Sequence, residues 1–320
     1  MSNTYLVTGA QGCIGAWVVK LLVERGDRAV VLDLSDDNSR LAQIAGSEVL
    51  AEVEYQNGDI TDFATVSRVL KESGAQRIIH LAGLQVPFCK ADPALGAAVN
   101  VLGTVHILEA AKRQGIQRVA YASSAAVYGP DAPERVGEDV ACHPTTHYGV
   151  YKCANEGSAR IYFQDDGLTS VGLRPLTVYG VARDQGLTSD ITKAMKAAVV
   201  GRPFDIRFTG ATVVIHARDA AWAFIIAADT APPGAHVFNL HGDRCEIAEI
   251  IDLIHAQGVS DCIGMTGVPL PIPPEMVDES IREVLGDLPR TALADGVRET
   301  MDAFRALDKA GRLSVQELDV

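Results

Sequence analysis

No two cysteines of this chain stand at CxxC spacing; the six, at 13, 89, 142, 153, 245 and 262, are scattered through 320 residues. That pattern argues against a zinc site and a disulfide framework, so no metal is expected and the thiols are read as reduced, in a cytoplasmic compartment. Also missing is an uninterrupted apolar run of about 18 residues, the length a membrane-spanning helix needs. The N-terminal stretch MSNTYLVTGAQG has no basic segment ahead of an apolar one, so no export signal is expected. Basic residues are scarce, 28 Lys and Arg against 41 Asp and Glu, for a net charge of −13. The lack of a long-range basic field argues against nucleic acid and anionic membrane as partners, though not against a local cationic pocket.

What is present is ordinary for a soluble enzyme: 48% hydrophobic and 22% charged residues, in a chain long enough to bury a full core. Short apolar runs alternate with amphipathic stretches through the first half, the pattern of βα units feeding a parallel sheet. Strands are predicted at Thr4–Thr8, Arg28–Asp33, Glu52–Asn57, Arg77–Leu81, Arg118–Ala122 and Thr169–Leu173. Helices are predicted at Ile14–Arg25, Asn38–Ala45, Phe63–Ser73, Asn100–Gln114 and Tyr148–Asp165, with Gly26, Gly74, Gly115 and Gly167 placed for left-handed C-caps. Beyond Arg174 the pattern loosens, with helices expected at Ser189–Val200, Ala217–Asp229, Glu246–Gln257 and Ala292–Ala306 and strands at Val213–Ile215 and His236–Leu240. Pro269, Pro271, Pro273 and Pro274 mark an extended segment. The expected fold class is therefore α/β, a doubly wound (Rossmann) parallel sheet with a smaller, interleaved C-terminal substrate lobe. Residues 1–175 would form the sheet domain, with a returning segment near 212–240, and residues 176–211 and 241–320 the lobe.

The first predicted strand runs into TGAQGCIG, placing Gly9, Gly12 and Gly15 where a strand turns into a helix. Glycine at the first position permits the tight turn, at the second lets backbone approach a pyrophosphate, and at the third lets helix and strand pack closely. The helix N-terminus then offers free N–H groups to phosphate, so Gln11, Cys13 and Ile14 are counted with the three glycines as cofactor contacts. Asp33 ends the second predicted strand, 18 residues past Gly15, where its carboxylate can accept hydrogen bonds from a ribose diol. No basic residue lies from Leu34 to Asn38 to receive a 2′-phosphate, so NAD is favoured over NADP.

Tyr148 and Lys152 are four residues apart in HYGVYKCANEG, one turn apart on one helical face. An ammonium beside a phenol favours the phenolate and lowers a pKa of about 10, bringing it toward proton exchange with an alcohol or carbonyl. Taken alone, the spacing is better suited to a solvated helix face, and the rest of the chain has to decide.

These motifs, together with Asp59-Ile60, AGL at Ala82–Leu84, NVLGT at Asn100–Thr104 and SSAAVYG at Ser123–Gly129, resemble the extended short-chain dehydrogenase/reductase family in its NAD-dependent epimerase/dehydratase branch. The likeness runs in order from Thr8 to about Gly180. It implies Tyr148 as general acid/base, Lys152 on the nicotinamide ribose, Ser124 on the substrate oxygen, and Asn100 shaping the helix beside Lys152 and supporting a water relay. It further implies Asp59 and Ile60 at the adenine, Leu81, Ala82 and Gly83 along its ribose and phosphate side, and Ser123 and Pro175 facing the nicotinamide. Substrate contacts would come from Gln85, Ser124, Ala125, Tyr148 and Thr177.

Three positions depart from the sugar-nucleotide enzymes of this branch, which commonly show AGLK, LRxxNVYG and RD(F/Y)xH. Here Gln85, Thr177 and Thr212 replace the lysine, asparagine and arginine, each loss weakening a grip on a nucleotide diphosphate. The expected substrate is therefore a free sugar, sugar acid or lactone, and the expected reaction NAD-dependent oxidation or reduction. An epimerase that retains its cofactor uses the same residues and stays open, as does a non-catalytic NAD sensor. Dehydratases of the branch place Asp-Glu where Ala125 and Ala126 stand. Arg183, Lys193, Arg202 and Arg207 are read as surface charges or contacts to an anionic substrate group, and His216 as structural. The family's homodimer pairs two helices per subunit, here 94–114 and 148–165, with Ala98, Val101, Val105 and Leu108 as the apolar stripe.

Overall fold

Successive residues of the predicted strands point to opposite faces of one sheet, and helices bury both faces. In the computed structural model, which describes residues 2–240, 242–259 and 261–319, Tyr5, Val7, Val31, Ile79, Ala120 and Val171 share one core. Their neighbours Leu6, Val30, Leu32, Ile78, Val119 and Tyr121 share the other. A parallel sheet covered on both sides needs near-continuous apolar strands, which is what the sequence supplies.

Seven parallel strands lie in the order Ala235–Leu240, Ser170–Pro175, Val119–Ala122, Arg77–His80, Thr4–Thr8, Arg28–Asp33, Glu54–Asn57. This is a doubly wound sheet whose order reverses at Thr4–Thr8, between Arg28–Asp33 and Arg77–His80. Helices Cys13–Glu24 and Ala217–Thr230 cover the first face, and Phe63–Ser73, Gly103–Gln114 and His147–Asp166 the second. Gly74, Gly115 and Gly167 have φ of +64°, +70° and +68° at helix C-caps, as expected.

A second sheet joins Thr177–Tyr179, Ala211–His216 and Asp243–Glu246, so the chain re-enters the large sheet through helix Ala217–Thr230 and strand Ala235–Leu240. The helix expected at Asn100–Gln114 begins earlier. Pro93–Ala97 is helical, Ala98–Leu102 forms a π-helical bulge, and Gly103–Gln114 continues as α-helix. Among the described residues this 22-residue run is long and apolar enough to cross a bilayer, but Ile107, Leu108, Ala110 and Ala111 pack it against the sheet. Leu108 thus faces the core and leaves the proposed dimer stripe, while Leu95 and Leu102 are exposed.

Candidate active site

At the carboxyl ends of the parallel strands lies a cleft of about 800 Å³. Its floor starts at Gly9, whose φ is +68° and where an added Cβ would lie 2.5 Å from the Ala82 backbone nitrogen. A Cβ on Gly15 would meet the Gly9 carbonyl at 2.3 Å, so both positions demand glycine. No side chain caps helix Cys13–Glu24, leaving its first amides free for a phosphate. Gln11, Gly12, Cys13 and Ile14 line the same wall. The loop therefore has the close-approach backbone that a dinucleotide requires.

Asp33 accepts hydrogen bonds from the Gln11 and Leu34 amides, at 3.0 and 2.8 Å, which fixes its carboxylate at the cleft edge. Asp59 accepts from the Thr61 amide at 2.8 Å, and Ile60 is seated against Gly103, where a Cβ would lie 2.5 Å from the Ile60 side chain. Leu81, Ala82 and Gly83 continue this wall. Arg40 lies just past the window searched for a basic residue and also lines the cleft. Its Nε reaches both Asp184 oxygens at 3.0 Å and its Nη1 the Gln11 carbonyl at 2.7 Å, so its charge is already matched.

On the other side of the reversal point, helix His147–Asp166 opens with Thr146 as its cap, the Thr146 hydroxyl accepting from the Gly149 amide at 3.1 Å. A Cβ on Gly149 would sit 2.2 Å from the Ala126 carbonyl. That close approach brings Tyr148 over the Ser124–Val127 turn. The Lys152 ammonium lies 5.4 Å from the Tyr148 ring centre and donates to the Ala122 carbonyl at 2.6 Å. Ser123, Ser124, Ala125, Pro175 and Gln85 complete the wall.

Asn100 stands behind the cleft in the π-helical bulge, a feature frequent at functional sites. Its amide accepts from Leu84 N–H at 2.7 Å and donates to the Leu84 carbonyl at 2.9 Å, clamping the Gly83–Leu84 backbone beside Lys152. Thr177 is off the cleft wall. Fully buried, it pairs its hydroxyl with Thr212 at 3.1 Å, which corrects the expectation that it touches substrate. Tyr151 donates to the Pro93 carbonyl at 2.8 Å, consistent with packing. His216 is buried between the Trp17 and Tyr179 rings and accepts from the Arg218 amide, consistent with a structural role.

Burial pulls the Lys152 ammonium down to about 8, with nearby Cys89 and Glu156 acting the other way. Burial pushes the Tyr148 phenol above its usual range, against the opposing hydrogen bond with Ser124 and the charge of Arg183. The expected lowering of the phenol by Lys152 is therefore not the resting electrostatics of this site. Burial sets the direction, with the Ser124 hydrogen bond and the Arg183 charge opposing it.

Beneath the site lies a network that sequence reasoning missed. Ser123 donates to Glu156, and Arg174 grips Glu156 with two bonds of 2.8 and 2.7 Å and the Tyr128 hydroxyl at 2.6 Å. Glu156 follows Lys152 by one helical turn, a spacing that was readable; its partner Arg174 on another strand was not. The variable lobe adds Arg183, Thr188 and the proline segment at Leu270–Ile272 to the cleft wall. Of the other basic residues considered there, Lys193 is buried away from the cleft, and Arg202 and Arg207 pair with Asp319 and Asp190.

A glycine loop at the reversal point of a doubly wound sheet, facing a tyrosine and a lysine across one cleft, defines a dinucleotide-dependent enzyme. The chain belongs to the NAD dependent epimerase/dehydratase family, whose model matches residues 5–240. It is 31% identical over 314 residues to a UDP-glucose 4-epimerase of Mycolicibacterium smegmatis, covering 94% of this chain and 98% of that protein. The structure of MoeE5 in complex with UDP-glucose and NAD is similar at 26% identity and a TM-score of 0.80, covering 95% of this chain and 99% of that one. A partial consensus L-threonine 3-dehydrogenase shares the fold, with a TM-score of 0.83, 22% identity and the same coverage.

Proposed function

We propose that this enzyme transfers a hydride between NAD and a secondary alcohol or ketone carbon of a small polyhydroxylated compound: a free sugar, sugar acid or lactone. NAD, when bound, supplies the hydride acceptor or donor. Tyr148 takes the hydroxyl proton as the carbon gives up its hydride, so neither an alkoxide nor a protonated ketone has to form. Ser124 holds the reacting oxygen within reach of the phenol. Lys152, kept in place by the Ala122 carbonyl, would hold the nicotinamide ribose, and Asn100 fixes the backbone beside it. In this reading residues 1–175 and the returning helix and strand hold the cofactor. The remaining segments hold the substrate.

The observation carrying the substrate class is the buried Thr177–Thr212 pair together with Gln85. Two positions where sugar-nucleotide enzymes offer an amide and an arginine are turned inward here, and the third is neutral. The second reading, an epimerase that keeps its NAD and passes through a transient ketone, is favoured by full-length similarity to UDP-glucose 4-epimerases. Purified enzyme with NAD and a panel of sugars, sugar acids, lactones and UDP-glucose separates them. Accumulating NADH supports the first, and isomer formation without net NADH the second. We also propose a homodimer through the outer faces of the 93–114 and 147–166 helices, where Leu95, Leu102, Val150 and Ile161 are exposed.

A further inference from the structure

We propose that Arg183 is the residue that recognises a carboxylate on the substrate, which narrows the proposed class to sugar acids and rests on the reading above. Arg183 lines the cleft from the segment whose Val181 carbonyl accepts from Trp17 on the helix after the glycine loop, and its charge also acts on the Tyr148 phenol. Its Nη2 donates to the Thr188 hydroxyl at 3.1 Å, while its Nε is buried with no hydrogen-bond partner. Arg40, Arg202 and Arg207 each hold a carboxylate, at Asp184, Asp319 and Asp190. Among the described residues no Asp or Glu pairs with Arg183. A guanidinium with an orphaned buried N–H at a cleft wall is short of an acceptor, and an ionised carboxylate meets its fork geometry.

The surroundings agree. Gly186 has φ +84°, and a Cβ there would lie 2.2 Å from the Gln85 Oε1 and 3.6 Å from the Arg183 Nη2. Gln85 and Arg183 therefore converge over one glycine, forming a polar corner. The cation missing at position 85 is supplied by Arg183 at the same corner. Charge along the cleft is also divided. Asp33, Asp37 and Asp59, with an Arg40 already matched by Asp184, line the end past the second and third strands, whereas Lys90, Lys152 and Arg183 line the substrate end, where no acid contributes to the wall. In a chain of net charge −13 that local field attracts a small anion. One guanidinium without the arginine replaced by Thr212 suits a carboxylate better than a diphosphate.

Calorimetric titration of the NAD-loaded enzyme with D-galacturonate, D-glucuronate and D-gluconate, each against D-galactose or D-glucose, tests this. At least one acid should bind tenfold or more tighter than its neutral counterpart, roughly the value of one charge-assisted contact. Arg183→Met should weaken that acid by roughly 100-fold and leave the neutral sugar and NAD within about twofold, with Arg183→Lys recovering part. In steady-state kinetics the loss should fall on KM more than on kcat. Equal binding of acids and neutral sugars, or no binding of any acid, overturns the assignment without needing a variant. So does an Arg183→Met that weakens UDP-glucose as much as it weakens the acids, since that places the arginine on phosphate. NAD-linked turnover of neutral sugars with no preference for acids would keep the proposed chemistry and reject Arg183. Acid-selective binding without turnover would do the reverse.

Discussion

The hydroxyls of Thr177 and Thr212 lie 3.1 Å apart and both residues are almost wholly buried, so each is the other's side-chain partner. Replacing one by valine keeps the shape and strands the second hydroxyl without a partner. Thr177→Val or Thr212→Val alone should cost about 1–3 kcal/mol, whereas the double variant should stay within about 1 kcal/mol of wild type. Chemical denaturation of the three variants gives the comparison. Turnover in the double variant should match wild type, and a large drop would put one of these hydroxyls back in the substrate site.

The strands of the large sheet were readable because parallel strands buried on both faces must be apolar runs, and Thr4–Thr8 and Arg28–Asp33 have the predicted limits. The glycine loop was equally plain, since strand, turn and helix follow each other in one short segment. Asn100 was found by resemblance, but its π-helical bulge was not, because a bulge breaks the 3.6 periodicity on which helix reading depends. Helix Val86–Ala91 was missed for a related reason: six residues with Pro87 in the first turn give too short a pattern. Contacts between distant segments were out of reach. Nothing local separates Arg183, with its unpaired Nε, from Arg207, which is held by Asp190.

Glu156 and Arg174 form a nearly buried, two-bond ion pair whose carboxylate also holds Ser123. Breaking one side leaves an uncompensated charge where water is excluded. Glu156→Gln should therefore lower unfolding free energy by about 3–5 kcal/mol, and Arg174→Met by a similar amount. The double variant Glu156→Leu, Arg174→Met should recover much of that loss. Additive costs in urea unfolding would contradict this account.

Asp33 is held by two amides at the edge of the cleft, and Arg40 beside it is matched by Asp184. Asp33→Ser removes the repulsion of a 2′-phosphate but leaves Arg40 engaged. NADP affinity should rise modestly in Asp33→Ser, and by roughly a further tenfold when Asp184→Asn frees the guanidinium. Fluorescence titration with NADPH measures both steps. No gain from the second substitution would mean that Arg40 cannot turn toward the ribose.

Lys152 has a depressed pKa of about 8 against an ordinary 10.5, because folding buries its ammonium. For a base depressed in this way the folded protein binds fewer protons than the unfolded chain between those values, so stability rises as pH climbs from about 8 to 10.5. Below pH 8 the charged form is the folded one, and it carries a cost on the order of 3 kcal/mol. Lys152→Met should accordingly be more stable than wild type near neutrality in the absence of NAD. Its advantage should shrink toward pH 10, and parallel stability profiles for the two proteins would refute the buried-ammonium account.

Tyr148 is the group whose loss should separate chemistry from binding. Phenylalanine keeps the ring that packs over Lys152 and the Ser124 turn, and removes only the proton carrier. Tyr148→Phe should lower kcat by about 100- to 10,000-fold while NAD affinity stays within roughly threefold. Burial holds the wild-type phenol above its usual range, so alcohol oxidation should quicken as pH rises and the phenolate fraction grows. The residual activity of Tyr148→Phe should lack that dependence. A variant that kept the same pH profile at reduced rate would assign the titration to another group, with Lys152, at about 8, the first to examine.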